Sequence, residues 1–154
     1  MPATLEKTAS TLPDVPALIN GKWISPPTTK FGDVFNPSTG KAIARVPLAS
    51  ADFTNSAIEA AAAAWPAWAE TPAVERARLM FKYREVLLAN FEKLAALVTK
   101  EHGKTMVEAR ASIQRGIEVV EYACAIPNML MGDCLQNLAR SVDAETNRHP
   151  IGVC

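Results

Sequence analysis

The chain of 154 residues is 49% apolar and 21% charged, with sixteen basic and sixteen acidic side chains that leave no net charge. This composition is that of a globular chain long enough to build a core, and it excludes an intrinsically disordered one. The even charge balance and the lack of like-charge runs argue against a nucleic-acid binder.

The opening "MPATLEKTASTLPDVPAL" holds no apolar stretch of signal-peptide length and only one basic residue, Lys7. It reads as a flexible arm over residues 1–17, with neither secretion signal nor arginine-rich transit peptide. No run approaches the ~20 apolar residues of a membrane span. The expectation is a soluble, cytoplasmic protein with no membrane and no nucleic-acid partner.

Residues 18–49 carry strand and turn signals, expected to form a small antiparallel sheet. In "LINGKWI", Asn20-Gly21 sits between apolar residues, the strongest short hairpin signal. In "DVFNPSTGKAIARV", a turn cluster from Asn36 to Gly40 separates two further strands.

Residues 50–132 change to helical patterning. Ser50 suits the N-cap of an alanine-rich helix through "DFTNSAIEAAAAAW", which Pro66 is expected to stop. Thr71 as cap and Pro72 at the first position restart a helix. Its apolar stripe is Ala77, Met80, Phe81, Leu87, Leu88, Phe91, Leu94, Ala95 and Val98, and Gly103 ends it. A third helix begins near Thr105, with Met106, Ala109, Ile113, Ile117, Val120 and Cys124 as its stripe. Pro127 and Gly132 mark its end.

The last stretch, "SVDAETNRHPIGVC" over residues 141–154, lacks helical periodicity and reads as an extended strand. It has no sequential partner in this reading. A strand with unpaired backbone needs cover from elsewhere, the first sign that part of a larger fold is missing.

The chemistry-bearing residues are few. Cys124, Cys134 and Cys154 have no CxxC spacing, and their odd number fits free thiols in a reducing compartment rather than a zinc site. His102 and His149 have no second ligand at helical spacing. Cys154 follows Pro150-Ile151-Gly152-Val153, an apolar context that raises a thiol pKa, so it reads as structural and not as a nucleophile. Cys124 reads as core, Cys134 as a loop residue. No GxGxxG or P-loop pattern occurs, so the residues give no local support for nucleotide binding. Glu101, His102 and Lys104 around Gly103 read as the solvated end of a helix. Arg115 stands apart. It lies off the main stripe of the third helix, with Val119 and Tyr122 at i+4 and i+7. Two readings stay open: a snorkelling or Glu118-paired arginine, or a cation held for a carboxylate ligand.

Read as whole motifs, "LINGKW", "FNPSTGK" and "EHGKTMVEA" resemble the opening of the NAD(P)-dependent aldehyde dehydrogenase superfamily. "QRGIEVVEYACAIPNMLMGD" is similar to a helix of the CoA-acylating methylmalonate-semialdehyde dehydrogenases, and "RHPIGVC" resembles the strand leading into their nucleotide domain. The resemblance covers residues 18–154. It implies an α/β, aldehyde dehydrogenase-like fold, of which this chain is the N-terminal part: short antiparallel strands, three helices and a terminal extended strand. The resemblance implies that the Rossmann-like sheet and catalytic domain lie outside these residues. No catalytic, cofactor-binding or metal-binding residue is then expected in the chain, and Cys154 aligns with the approach to the active-site loop. Arg115, before Gly116, matches an arginine that helps hold the substrate carboxylate, which makes it the one substrate-binding residue implied.

For the complete enzyme the resemblance implies thiolate attack on a semialdehyde, hydride transfer to NAD, loss of the carboxylate and acyl transfer to CoA, giving propanoyl-CoA or acetyl-CoA. A homo-oligomer is implied as well. The fragment itself is expected to be inactive. A different class of function, a stand-alone helical scaffold or subunit-interaction module binding a full-length aldehyde dehydrogenase, competes with this reading.

Overall fold

A computed structural model describes residues 12–154. Most of the expected flexible arm, residues 1–11, lies outside the described residues. The rest is held: the Arg45 amide donates to the Pro13 carbonyl at 2.9 Å, and the Val15 amide to the Arg45 carbonyl at 2.8 Å.

The first hairpin forms as the sequence predicts. Strands β1 (Ala17–Ile19) and β2 (Lys22–Ile24) pair antiparallel with Leu18 opposite Trp23. Asn20 and Gly21 take φ of 49° and 71°. Two consecutive positive values are those of the tight turn whose twist matches a hairpin. Strands β3 (Phe31–Asn36) and β4 (Lys41–Pro47) form the second hairpin, with a register shift between Val34 and Phe35. In its turn the Asn36 side-chain oxygen accepts from the Ser38 amide at 2.9 Å. The two hairpins are separate two-stranded sheets, not the single small sheet expected.

Helix α1 (Ala51–Glu70) starts on Ser50, whose hydroxyl accepts from the Phe53 amide at 3.2 Å. It does not stop at Pro66, which lies inside it. Proline removes one intrahelical donor, and the alanines before it have the highest helix propensity, so the helix continues for another turn. It ends where the Thr71 hydroxyl donates to the Ala67 carbonyl at 2.9 Å. Thr71 thus closes α1 rather than capping the next helix. Helix α2 (Ala73–Ala89) begins after Pro72 with no side-chain cap.

The single long helix expected next is two. Asn90 leaves helical geometry at φ −109°, ψ 13° and divides α2 from α3 (Phe91–His102). Its side-chain amide donates to the Val86 carbonyl at 2.9 Å. This is the local competition with the backbone that makes asparagine a helix breaker. Gly103 ends α3 at φ 82°, as its position predicts. Helix α4 (Met106–Ala123) opens on a complete capping box between Thr105 and Glu108. A single turn, α5 (Ile126–Met129), comes next.

The chain then forms a third hairpin, β5 (Cys134–Ala139) with β6 (Val142–Glu145). Residues 142–145 therefore have a sequential partner, contrary to the sequence reading, and Cys134 begins a strand rather than sitting in a loop. Asn137 and Ser141 at φ 54° and 63°, together with a register shift between Leu135 and Ala139, break the alternation that would have announced β5. Residues 146–154 join no ladder.

The core sits where α4 packs on α2 and α3. It consists of Ala77, Ala95, Ala109, Ile117 and Cys124. Alanine on each facing helix lets the backbones approach closely, and Ile117 is the one large side chain sealed there. Ion pairs at the rim link the same helices, Arg84 to Glu121 at 2.6 Å and Arg110 to Glu92 at 3.0 Å. Both are solvent-exposed and add little stability.

Candidate functional site

The packing of α4 decides where Arg115 points. Ile117, 1% exposed, anchors one side of the helix in the core. Arg115 lies off that side and is exposed, with Val119 and Tyr122, 69% and 68% exposed, next on its own face. Glu118, the partner that i+3 spacing offered, instead accepts from the Gln114 amide at 3.4 Å. Among the described residues no hydrogen bond or ion pair engages Arg115, whereas Arg45, Arg84 and Arg110 are each paired with a carboxylate. A guanidinium on a rigid helix, flanked by apolar side chains and free of internal acids, offers a two-pronged donor to a carboxylate.

The other candidates fall into ordinary roles. Cys154 is exposed, and its thiol lies 3.8 Å from the Gly152 carbonyl. Gly152, Val153 and Cys154 border a cavity of about 300 Å³ against Ala61, Ala64, Trp65 and Trp68 of α1. That lining contains no cation and no base to generate a thiolate. Cys124 is buried. Around Gly103 no acid–base cluster forms. Lys104 donates to the Ser112 hydroxyl at 2.9 Å. Beyond it, Glu108 takes the Thr105 hydroxyl and amide at 2.9 and 3.1 Å. Those two hydrogen bonds hold the Glu108 carboxyl below its ordinary pKa. Among the described residues no group of three or more His, Cys, Asp and Glu side chains could hold a metal ion.

The described residues do not fit a dinucleotide. The positive-φ glycines, Gly21, Gly40, Gly103 and Gly152, belong to separate turns rather than one phosphate-cradling loop. An open cavity of about 580 Å³ is bordered by Pro27, Thr28, Thr29, Lys30, Leu48, Ala49 and Ser50, with a single cation and no aromatic surface.

One group escaped the sequence reading. Arg76, Arg148 and His149 line a single small cavity. Arg76 lies far along the chain from the adjacent pair Arg148 and His149, so only the fold reveals their convergence.

Short antiparallel strand pairs followed by packed helices define an α/β chain. The family model for the aldehyde dehydrogenase family matches residues 23–154, and the chain belongs to that family. Relatives specify the branch. Malonate-semialdehyde dehydrogenase 2 of Oceanobacillus iheyensis is 43% identical over 146 residues, 95% of this chain and 30% of that protein. Malonate-semialdehyde dehydrogenase 1 of Bacillus thuringiensis is 44% identical over 135 residues, 88% of this chain and 28% of that protein. Among solved structures, a putative methylmalonate-semialdehyde dehydrogenase from Sinorhizobium meliloti, complexed with NAD, superposes with a TM-score of 0.86. It is 33% identical, and the match covers 94% of this chain and 29% of that one. Methylmalonate-semialdehyde dehydrogenase (DddC) from Oceanimonas doudoroffii gives 0.82 at 38% identity, over 88% of this chain and 28% of that one. The chain thus spans about 30% of the length of the relatives it matches.

Proposed function

We propose that this chain is the N-terminal part of an NAD-dependent, CoA-acylating dehydrogenase of methylmalonate or malonate semialdehyde, in which Arg115 holds the substrate carboxylate. The complete enzyme works as a cytoplasmic homo-oligomer and gives propanoyl-CoA or acetyl-CoA. The 154-residue chain alone is inactive, because its nucleophile and nucleotide site lie in the region of the relatives it does not cover.

One observation carries this reading. In a stretch similar to semialdehyde dehydrogenases, the α4 arginine is exposed and, among the described residues, paired with no acid. The catalytic contribution of Arg115 is orientation. Binding the carboxylate end fixes where the aldehyde end sits.

Two measurements test the proposal. The intact mass of the cellular polypeptide that yields the peptide GIEVVEYACAIPNMLMGDCLQNLAR should exceed 16.6 kDa more than threefold. In that polypeptide, Arg115→Leu should raise KM for methylmalonate semialdehyde by about 10- to 100-fold, the worth of one charged hydrogen-bonding group. KM for propanal, which has no carboxylate, should hold steady. Equal losses on both aldehydes would remove Arg115 from substrate binding, and NAD reduction by the pure 154-residue chain would overturn the placement of the chemistry elsewhere.

A further inference from the structure

We propose that the cavity where α1, α2 and residues 148–150 meet is an oxyanion site, built for a carboxylate or phosphate group by Arg76, Arg148 and His149. Its volume is about 180 Å³, and Ala69, Leu130 and Pro150 complete its lining. Two guanidiniums and an imidazole border it and no acidic side chain does. Among the described residues none of the three forms an ion pair.

The Arg76 Nε is buried with no hydrogen-bond partner. Buried donors are almost always satisfied, so an orphaned one beside a cavity points to a missing acceptor. Arg148 is half committed: its Nε donates to the Met131 carbonyl at 3.3 Å, which fixes the side chain and leaves its other donors available. Like charges confined beside one small space repel, and an anion between them turns that repulsion into attraction. Forked guanidinium donors match the planar carboxylate and the tetrahedral phosphate. Size sets the ligand class. At about 30 Å³ per water, the space takes one such group with a few waters, and not a nucleotide.

The oxyanion has two possible sources: a free anion, or an acidic side chain from a longer polypeptide to which this segment belongs. The test tracks the arginine Nε–H resonances of the ¹⁵N-labelled protein while inorganic phosphate replaces chloride at constant ionic strength. Arg76 and Arg148 should shift and saturate, while exposed Arg78 and Arg140 stay put. Arg148→Gln should weaken the response at least tenfold. Arg76→Lys keeps the charge but loses the fork, and should weaken it too. The same titration on the longer cellular polypeptide separates the sources. A saturable shift there identifies a free anion; an Arg76 signal already at its saturated position and deaf to phosphate identifies an internal carboxylate. Uniform, unsaturating shifts of all arginines in both proteins would overturn the proposal. The site shares no residue with the Arg115 face, so either can fail alone.

Discussion

Thr105 and Glu108 show how much one residue pair settles. The Thr105 hydroxyl accepts from the Glu108 amide at 3.3 Å, while the Glu108 carboxylate takes the Thr105 amide. This fixes where α4 begins, and so the angular position of Arg115 three turns on. Thr105→Ala should cost about 1 kcal/mol, read from denaturant midpoints. The pH dependence comes from the same bonds. Glu108 titrates below its ordinary value of 4.5, as does Glu92, whose carboxylate accepts from the Arg110 guanidinium. A depressed folded-state pKa means stability that is present above the unfolded value and lost as pH falls through the folded one. Stability should therefore fall on acidification from about pH 4.5 downward, and Glu108→Gln should make that fall shallower. Identical slopes in the two proteins would show that the carboxylate contributes nothing through its charge. At this scale the sequence was informative: Ser50, Gly103 and the start near Thr105 all hold in the structure. The place of Arg115 off the packed stripe of α4 was legible too, because one helix face is a local property. The Arg76 cavity was not, because Arg76 meets Arg148 and His149 only through tertiary packing.

At the scale of elements, patterns that depend on one period were readable and interruptions were not. The Asn20-Gly21 and Asn36–Gly40 turns carry their own chemistry, so both hairpins could be read from the sequence. Strand β5 was missed because "CLQNLA" has its alternation broken at Asn137. Asn90 passed unnoticed inside a stripe that keeps its phase across α2 and α3. Pro66 is the reverse case, a strong stop signal overridden by the helix around it. Its tolerance has a consequence: Pro66 is exposed, in a helix that buries none of its residues. Pro66→Ala should restore the missing donor to the Ala62 carbonyl and relieve the clash there. We expect a gain of about 1–3 kcal/mol, the scale of an interior proline's cost. Thermal unfolding monitored by far-ultraviolet circular dichroism measures it. A loss of stability would mean that Pro66 shapes α1 for a contact beyond these residues.

For the whole molecule the decisive quantity is surface. The chain exposes 12229 Å², against about 7,600 Å² for a compact monomer of 16.6 kDa. Even fully extended, residues 1–11 would account for only about 1,700 Å² of the difference. Large apolar side chains contribute to it: Trp23, Trp65, Trp68, Phe81, Tyr122 and Leu138 are all exposed, on hairpins and helices alike. Exposed large apolar side chains, where they gather into patches, mark interfaces in intact proteins and aggregation in isolated pieces. The core, four small residues and one isoleucine, is too slight to hold five helices and three hairpins in one cooperative unit. That weighs against the stand-alone scaffold and for a segment completed by a larger fold. The purified 154-residue chain should therefore bind 1-anilinonaphthalene-8-sulfonate at neutral pH, sediment as a concentration-dependent mixture and melt broadly. A monomer that ignores the dye and unfolds in one sharp two-state transition would show that this surface is stable in water, and would return the scaffold reading to first place.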